Sequence, residues 1–115
     1  MQHLAWESVK KEIVNDKLWR KLVNGEKVMV AQLWLFKDCV VPLHHHESEQ
    51  ISLVLEGALK FELEDREVMV RAGEVLVIPS NVPHSALAIE DTIGIDVFSP
   101  IRLDWLNGTD SYLRR

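Results

Sequence analysis

The sequence predicts an all-β sandwich or barrel. Three observations carry that prediction: a series of short apolar runs with strand periodicity, turn residues spaced regularly between them, and few segments of helical period. Leu18 to Val23 leads into Asn24-Gly25, a strong hairpin signal, and Val28 to Phe36 runs back. Ile51 to Leu55 is a β-branched run closed by Glu56-Gly57. Leu59, Phe61 and Leu63 alternate with Lys60, Glu62 and Glu64, the pattern of a half-buried strand, and Asp65-Arg66 turns the chain into Val68-Met69-Val70. Val75 to Ile78, Ser85 to Ile89 and Thr92 to Phe98 complete the series. Ahead of it, Trp6, Val9 and Ile13 have helical spacing, but Asn15-Asp16 interrupts them as a turn would, so a short strand or turn is expected there. The tail, Leu103 to Arg115, contains Asn107-Gly108 and has room for one helical turn.

Length and composition set the outer limits. At 115 residues the chain reads as one domain, 1–115, with a core spanning about 28–100. Apolar residues make up 47% and charged residues 27%, which suits a globular protein and argues against disorder. A net charge of -5 and the lack of a basic stripe disfavour nucleic acid as a partner, and Arg114-Arg115 is too short to supply one. Small anions remain compatible, because a bound metal and one arginine can outweigh a diffuse negative surface. Cys39 is the only cysteine, so no intrachain disulfide can form. The first residues lack the apolar stretch of a signal peptide, and no segment approaches the ~20 apolar residues of a membrane span. A cytoplasmic location, with no membrane partner, is the expectation.

Histidine placement is the most informative feature for function. Three of the five histidines form the run His44-His45-His46, and a fourth, His84, closes Pro79-Ser80-Asn81-Val82-Pro83-His84. On a strand His44 and His46 share a face and His45 takes the other. Gln50 keeps the parity of the first two unless Glu47-Ser48-Glu49 bends the chain. Three neutral imidazoles and one amide oxygen facing a cavity suit a borderline transition metal: Zn, Ni, Fe or Mn.

The spacing of these residues, with Gly57, Gly73, Pro79 and Ala88 around them, resembles the two motifs of the cupin superfamily. Asp38 and Asn81 stand where that family has glycines, but both residue types tolerate a left-handed turn. Between the motifs, Ala58 to Ala72 is a spacer of 15 residues, as in compact one-domain cupins. The resemblance implies a double-stranded β-helix, the jelly-roll barrel, and one divalent metal held by His44, His46, Gln50 and His84. Gln50 replaces the family's usual glutamate. An amide leaves the metal's charge undiminished and makes it a stronger Lewis acid.

Beyond the ligands, Thr92 to Phe98 places Ile93, Ile95 and Val97 on one face and Asp96 with Phe98 on the other. A carboxylate inside such a strand needs compensation; facing a metal cavity it could move protons. Arg102 offers a planar fork for a carboxylate. Trp34 and Phe36 share a parity and are expected to line the barrel.

Glu49-Gln50-Ile51-Ser52 after the histidines, and Asp96 to Arg102, resemble the KdgF-type pectin-degradation cupins, which open unsaturated uronates to linear keto acids. That resemblance implies Asp96 as acid/base group, with Phe98 and Arg102 shaping the site of an anionic small-molecule substrate. Two other activities fit the same ligand set: a metal-dependent dioxygenase, and a cupin that binds metal and ligand without turnover. Edge strands of small cupins favour a homodimer.

Overall fold

A computed structural model describes residues 1–114; Arg115, the last residue of the expected tail, lies outside the described residues. Ten strands follow one another: β1 (Glu12–Asn15), β2 (Leu18–Asn24), β3 (Met29–Leu35), β4 (Val40–His44), β5 (Glu49–Glu56), β6 (Ala58–Leu63), β7 (Arg66–Arg71), β8 (Val75–Ile78), β9 (His84–Ala88) and β10 (Thr92–Ser99). A 3₁₀ turn at Trp6–Ser8 precedes them and one short helix, α1 (Leu103–Asn107), follows. The strands form two antiparallel sheets, ordered β1-β2-β3-β10-β5-β8 and β4-β9-β6-β7. This is an all-β sandwich, as the pattern of short strands predicts, in the jelly-roll architecture that the motif resemblance implies.

Alternation sets the inner faces. Met29, Ala31, Leu33 and Leu35 of β3 are buried, as are Leu59, Phe61 and Leu63 of β6, and together they fill the space between the sheets. Thr92, Gly94, Asp96 and Phe98 are the inward residues of β10. Asn15 makes the turn expected of it, its Oδ1 accepting the Lys17 N–H at 2.8 Å. Asn24 is still paired, opposite Met29, so the first hairpin turns through residues 25–28, one position later than the Asn-Gly signal suggests. The β6–β7 turn is Glu64-Asp65, not Asp65-Arg66: Arg66 already pairs with Leu63 and Glu64 takes the left-handed φ of 53°.

Positive φ at Asp38 (74°) and Asn81 (62°) bears out the left-handed turns expected at those positions. Gly57 is more constrained. Its φ is 90°, and a Cβ there would run into the carbonyl of Asp91 and the backbone and hydroxyl of Thr92. Gly73 has a φ of 85° with open space around it. Urea denaturation is therefore expected to show Gly57→Ala losing about 2–4 kcal/mol, from strain plus overpacking, and Gly73→Ala only about 1 kcal/mol, from strain alone. Equal losses would contradict this account of Gly57.

Candidate metal centre

Both sheets contribute to one site at a barrel end. His44 closes β4 and pairs directly across from His84, the first residue of β9. His46 lies two residues beyond β4; the chain then bends at Glu47-Ser48 and enters β5 in the opposite sheet. Gln50 thus reaches the histidines from the facing wall. Strand parity accounts for His44 and His46, with His45 exposed, but not for Gln50: the crossing, rather than a continuous register, brings it there. The bend is pinned by three hydrogen bonds. Asn81 N–H donates to the His46 carbonyl (2.8 Å), Ser80 Oγ to the Glu47 carbonyl (2.5 Å) and Ser48 Oγ to the Pro100 carbonyl (2.6 Å).

The three imidazoles have ring centroids 4.3 to 5.4 Å apart, and one nitrogen from each lies within 4.8 Å of the others. Each Nδ1 meets a backbone carbonyl close in sequence: Pro42 for His44 (2.8 Å), Ser48 for His46 (2.9 Å) and Val82 for His84 (2.8 Å). A carbonyl can only accept, so each Nδ1 carries the proton and each Nε2 is left as a bare lone pair. Burial, reinforced by the charge of Arg102, pushes His44 and His46 down to about 4 and lowers His84 as well. All three are neutral near pH 7, as metal ligation requires.

Gln50 is aimed by a directional chain. The Ser52 hydroxyl donates to Asp96 Oδ1 (2.7 Å) and accepts from the Gln50 amide nitrogen (2.9 Å). The amide oxygen of Gln50 must then point the other way, where it sits 3.1 Å from His46 Nε2. Two acceptors at that distance repel each other unless a cation lies beside them. His84 Nε2 is also buried with no hydrogen-bond partner among the described residues. Unprotonated nitrogens and one amide oxygen converging in this way fit a divalent transition metal.

Asp96 sits on β10 between Ala31 and Ser52 of the neighbouring strands and faces the interior. Burial pushes its carboxyl up to about 6, against the opposing pull of the Ser52 hydrogen bond and Arg102. Phe98, 1% exposed, stands edge-on to His46 at 5.8 Å. Arg102 lies between the faces of Phe98 (5.1 Å) and Trp105 (4.7 Å), chelated by Asp104 through Nε (3.0 Å) and Nη2 (2.9 Å).

Trp34 and Phe36 do not line the cavity, and that expectation is corrected here. Both are on the outer face of β3 and its extension, because Met29, Ala31, Leu33 and Leu35 take the inner positions. Lys11 lies over Trp34 at 4.6 Å, and Phe36 packs edge-on against Trp19 at 4.8 Å. Three residues join the site unpredicted: Ser52, Trp105 and Tyr112. Ser52 shares the parity of Gln50, which could have flagged it. Tyr112 stacks on His44 at 4.7 Å and accepts from Arg102 Nη2 at 2.6 Å, with no motif to announce it. The cavity measures about 50 Å³; His44, His84, Gln50, Asp96 and Arg102 make its polar side, and leucine, valine and phenylalanine side chains wall much of the rest.

Comparison with known proteins fits this geometry. The family model described as the cupin domain matches residues 37–96. The solved structure of KdgF from a Halomonas species is 30% identical and superposes with a TM-score of 0.80, covering 86% of this chain and 94% of that one. An RmlC-like cupin from Shewanella frigidimarina is 27% identical with a TM-score of 0.84, covering 91% and 96%. Human 3-hydroxyanthranilate 3,4-dioxygenase is 33% identical over 100 residues, 81% of this chain. This chain spans 20% to 36% of the length of the curated relatives it matches. No described helix is long and apolar enough to cross a membrane. Matching motifs, shared architecture and a histidine cluster suited to a transition metal lead to one conclusion: this chain belongs to the cupin family.

Proposed function

We propose that the chain is a metal-dependent cupin that opens a small unsaturated uronate to its linear keto form, with Asp96 moving the proton. The observation that carries this reading is the desolvated Asp96 carboxyl, facing the cavity and wired through Ser52 to Gln50. The likeness to KdgF supports it. A single divalent ion (Zn, Ni, Fe or Mn) held by His44, His46, Gln50 and His84 would supply Lewis-acid polarisation of substrate oxygens.

The chain's own residues do the rest. Ser52 occupies Asp96 Oδ1, so protons are exchanged at Oδ2, where the Gln50 amide nitrogen is 3.5 Å away. A carboxyl pushed up to about 6 can both take the enol proton and return it to carbon near neutral pH. The change is an isomerisation and needs no co-reactant. Asp104 and Tyr112 hold Nε and Nη2 of Arg102, so Nη1 is the amino group left for the substrate carboxylate. Phe98 closes the floor beside His46. A homodimer joined over the β8 edge, where Val75 and Val77 are exposed, and a cytoplasmic location belong to the same proposal.

A dioxygenase is the second reading, favoured by the similarity to the 3-hydroxyanthranilate enzymes and by the apolar cavity wall. Binding without turnover is the third. The conjugated enol ether of an unsaturated uronate absorbs in the ultraviolet, and that absorbance disappears on ring opening. The protein loaded with Zn, Ni, Mn or Fe is expected to speed this loss above the spontaneous rate. No acceleration with any of the four would end the uronate reading, and oxygen uptake by the iron form would favour the second.

A further inference from the structure

We infer that residues 103–114 form a hinged plug over the metal centre, latched to the barrel by the ion pairs of Glu12, Arg20, Asp110 and Arg114. This builds on the metal-site reading and not on any particular substrate.

The cavity is walled by laddered strands everywhere except on one side. There the wall is Arg102, just ahead of the segment, with Trp105, Tyr112 and Leu113 within it. Every other strand wall is tied to its neighbours by ladder hydrogen bonds and cannot move without breaking a sheet. The segment 103–114 pairs with no strand among the described residues, and its backbone bonds stay local: Trp105 and Leu106 N–H to the Arg102 carbonyl at the hinge, Thr109 N–H to Asp104, Leu113 N–H to Asp110 and Arg114 N–H to Ser111. It can therefore swing as a unit with its internal hydrogen bonds intact.

Side chains hold it down. Asn15 Nδ2 donates to the Leu113 carbonyl at 2.7 Å. Arg20 on β2 reaches Asp110 at 2.8 Å and Glu12 at 2.6 Å, while Arg114 reaches Asp110 at 2.7 Å and Glu12 at 3.1 Å. Two carboxylates and two guanidinia form a closed square across the junction. The square is under-satisfied at its centre: the Arg20–Asp110 contact is close but misaligned, and Arg20 Nη2 is buried with no hydrogen-bond partner among the described residues. Such a pair adds little over apolar packing, although removing one partner strands the other charge; the burial of Trp105 and Leu113 in the core is the further contact that lifting must break. Tyr112 is the leaf of the door, lying flat on His44 while its hydroxyl holds Arg102. As it stands the cavity of about 50 Å³ has room for an ion and a few waters, so a larger ligand needs the plug to move aside.

Two measurements test this. The first is release of Zn²⁺ from the full chain into excess chromogenic chelator. Glu12→Gln and Arg114→Ala, neither of them a candidate ligand, are expected to speed release about two- to fivefold, as loss of a partly exposed ion pair predicts, and Asp110→Asn by more. High salt should speed wild type more than the variants, each of which keeps only part of the square. The second is amide hydrogen exchange, in which Thr109, Leu113 and Arg114 are expected to exchange together and well ahead of the β10 amides. Release rates unchanged in Glu12→Gln and Arg114→Ala, or segment amides as protected as β10, would overturn the plug. Should the chain bind no Zn²⁺, the metal reading fails while hydrogen exchange still decides the plug.

Discussion

Asp96→Asn is expected to keep the fold and the bound metal while slowing uronate ring opening by about 10²–10⁴-fold, the usual worth of a positioned acid or base. The substitution preserves shape, and Asn can still accept from the Ser52 hydroxyl. It cannot exchange a proton near neutral pH. The comparison needs rates corrected for the spontaneous reaction and metal content measured on the same samples. A rate within about threefold of wild type would remove Asp96 from the chemistry, since that is far below a general acid–base contribution. Stability of the metal-free forms offers an independent check. The Asp96 carboxyl is raised from 3.8 to about 6 by burial, so the folded state holds its proton more tightly than the unfolded state. Wild-type stability should then fall, from this group, as pH rises from about 4 to about 6. Asparagine lacks that loss, so Asp96→Asn should gain on wild type across the same window and hold the gain above it.

His84→Ala should weaken metal binding by more than about 100-fold, beyond what loss of a supporting hydrogen bond to a ligand costs. His84 contributes a buried, unpartnered Nε2 opposite His44, and its removal leaves two imidazoles and an amide. His45→Ala, at an exposed position in the same run, should change nothing. Chelator competition and elemental analysis of both variants separate a specific ligand from general histidine affinity. Equal retention in the two would remove the site from the barrel.

The contrast between what the chain announces and what it conceals follows physical lines. Alternation in β6 is readable because the strand has one polar and one apolar face. In β10 it groups Asp96 with Phe98 but would send the purely apolar face of Ile93, Ile95 and Val97 inward; the structure does the reverse, and the cupin resemblance, with both sheet faces partly covered, is what points Asp96 to the cavity. In β3 both faces are apolar. Parity then says that Trp34 and Phe36 go together but not where, and the smaller inner residues decide it through packing that no local pattern encodes. Gln50 was found by its motif spacing, whereas the reason it reaches the site is a crossing between sheets. Ser52 carried a weak signal, two residues from Gln50 on the same strand face. Tyr112 carried none, because its place depends on contacts with β1 and β2, nearly the whole chain away.

His44 and His84 belong to the four-stranded sheet and Gln50 to the six-stranded one, and no ladder joins the two. An ion held by all of them would act as a rivet through both layers. The two sheets could not part without first giving it up, so free ion at a hundred times its dissociation constant would add about 2.7 kcal/mol to the cost of unfolding. The survival of this chain against proteolysis would then track the supply of its metal, and scarcity would lower how much of the protein persists as well as how much of it is loaded.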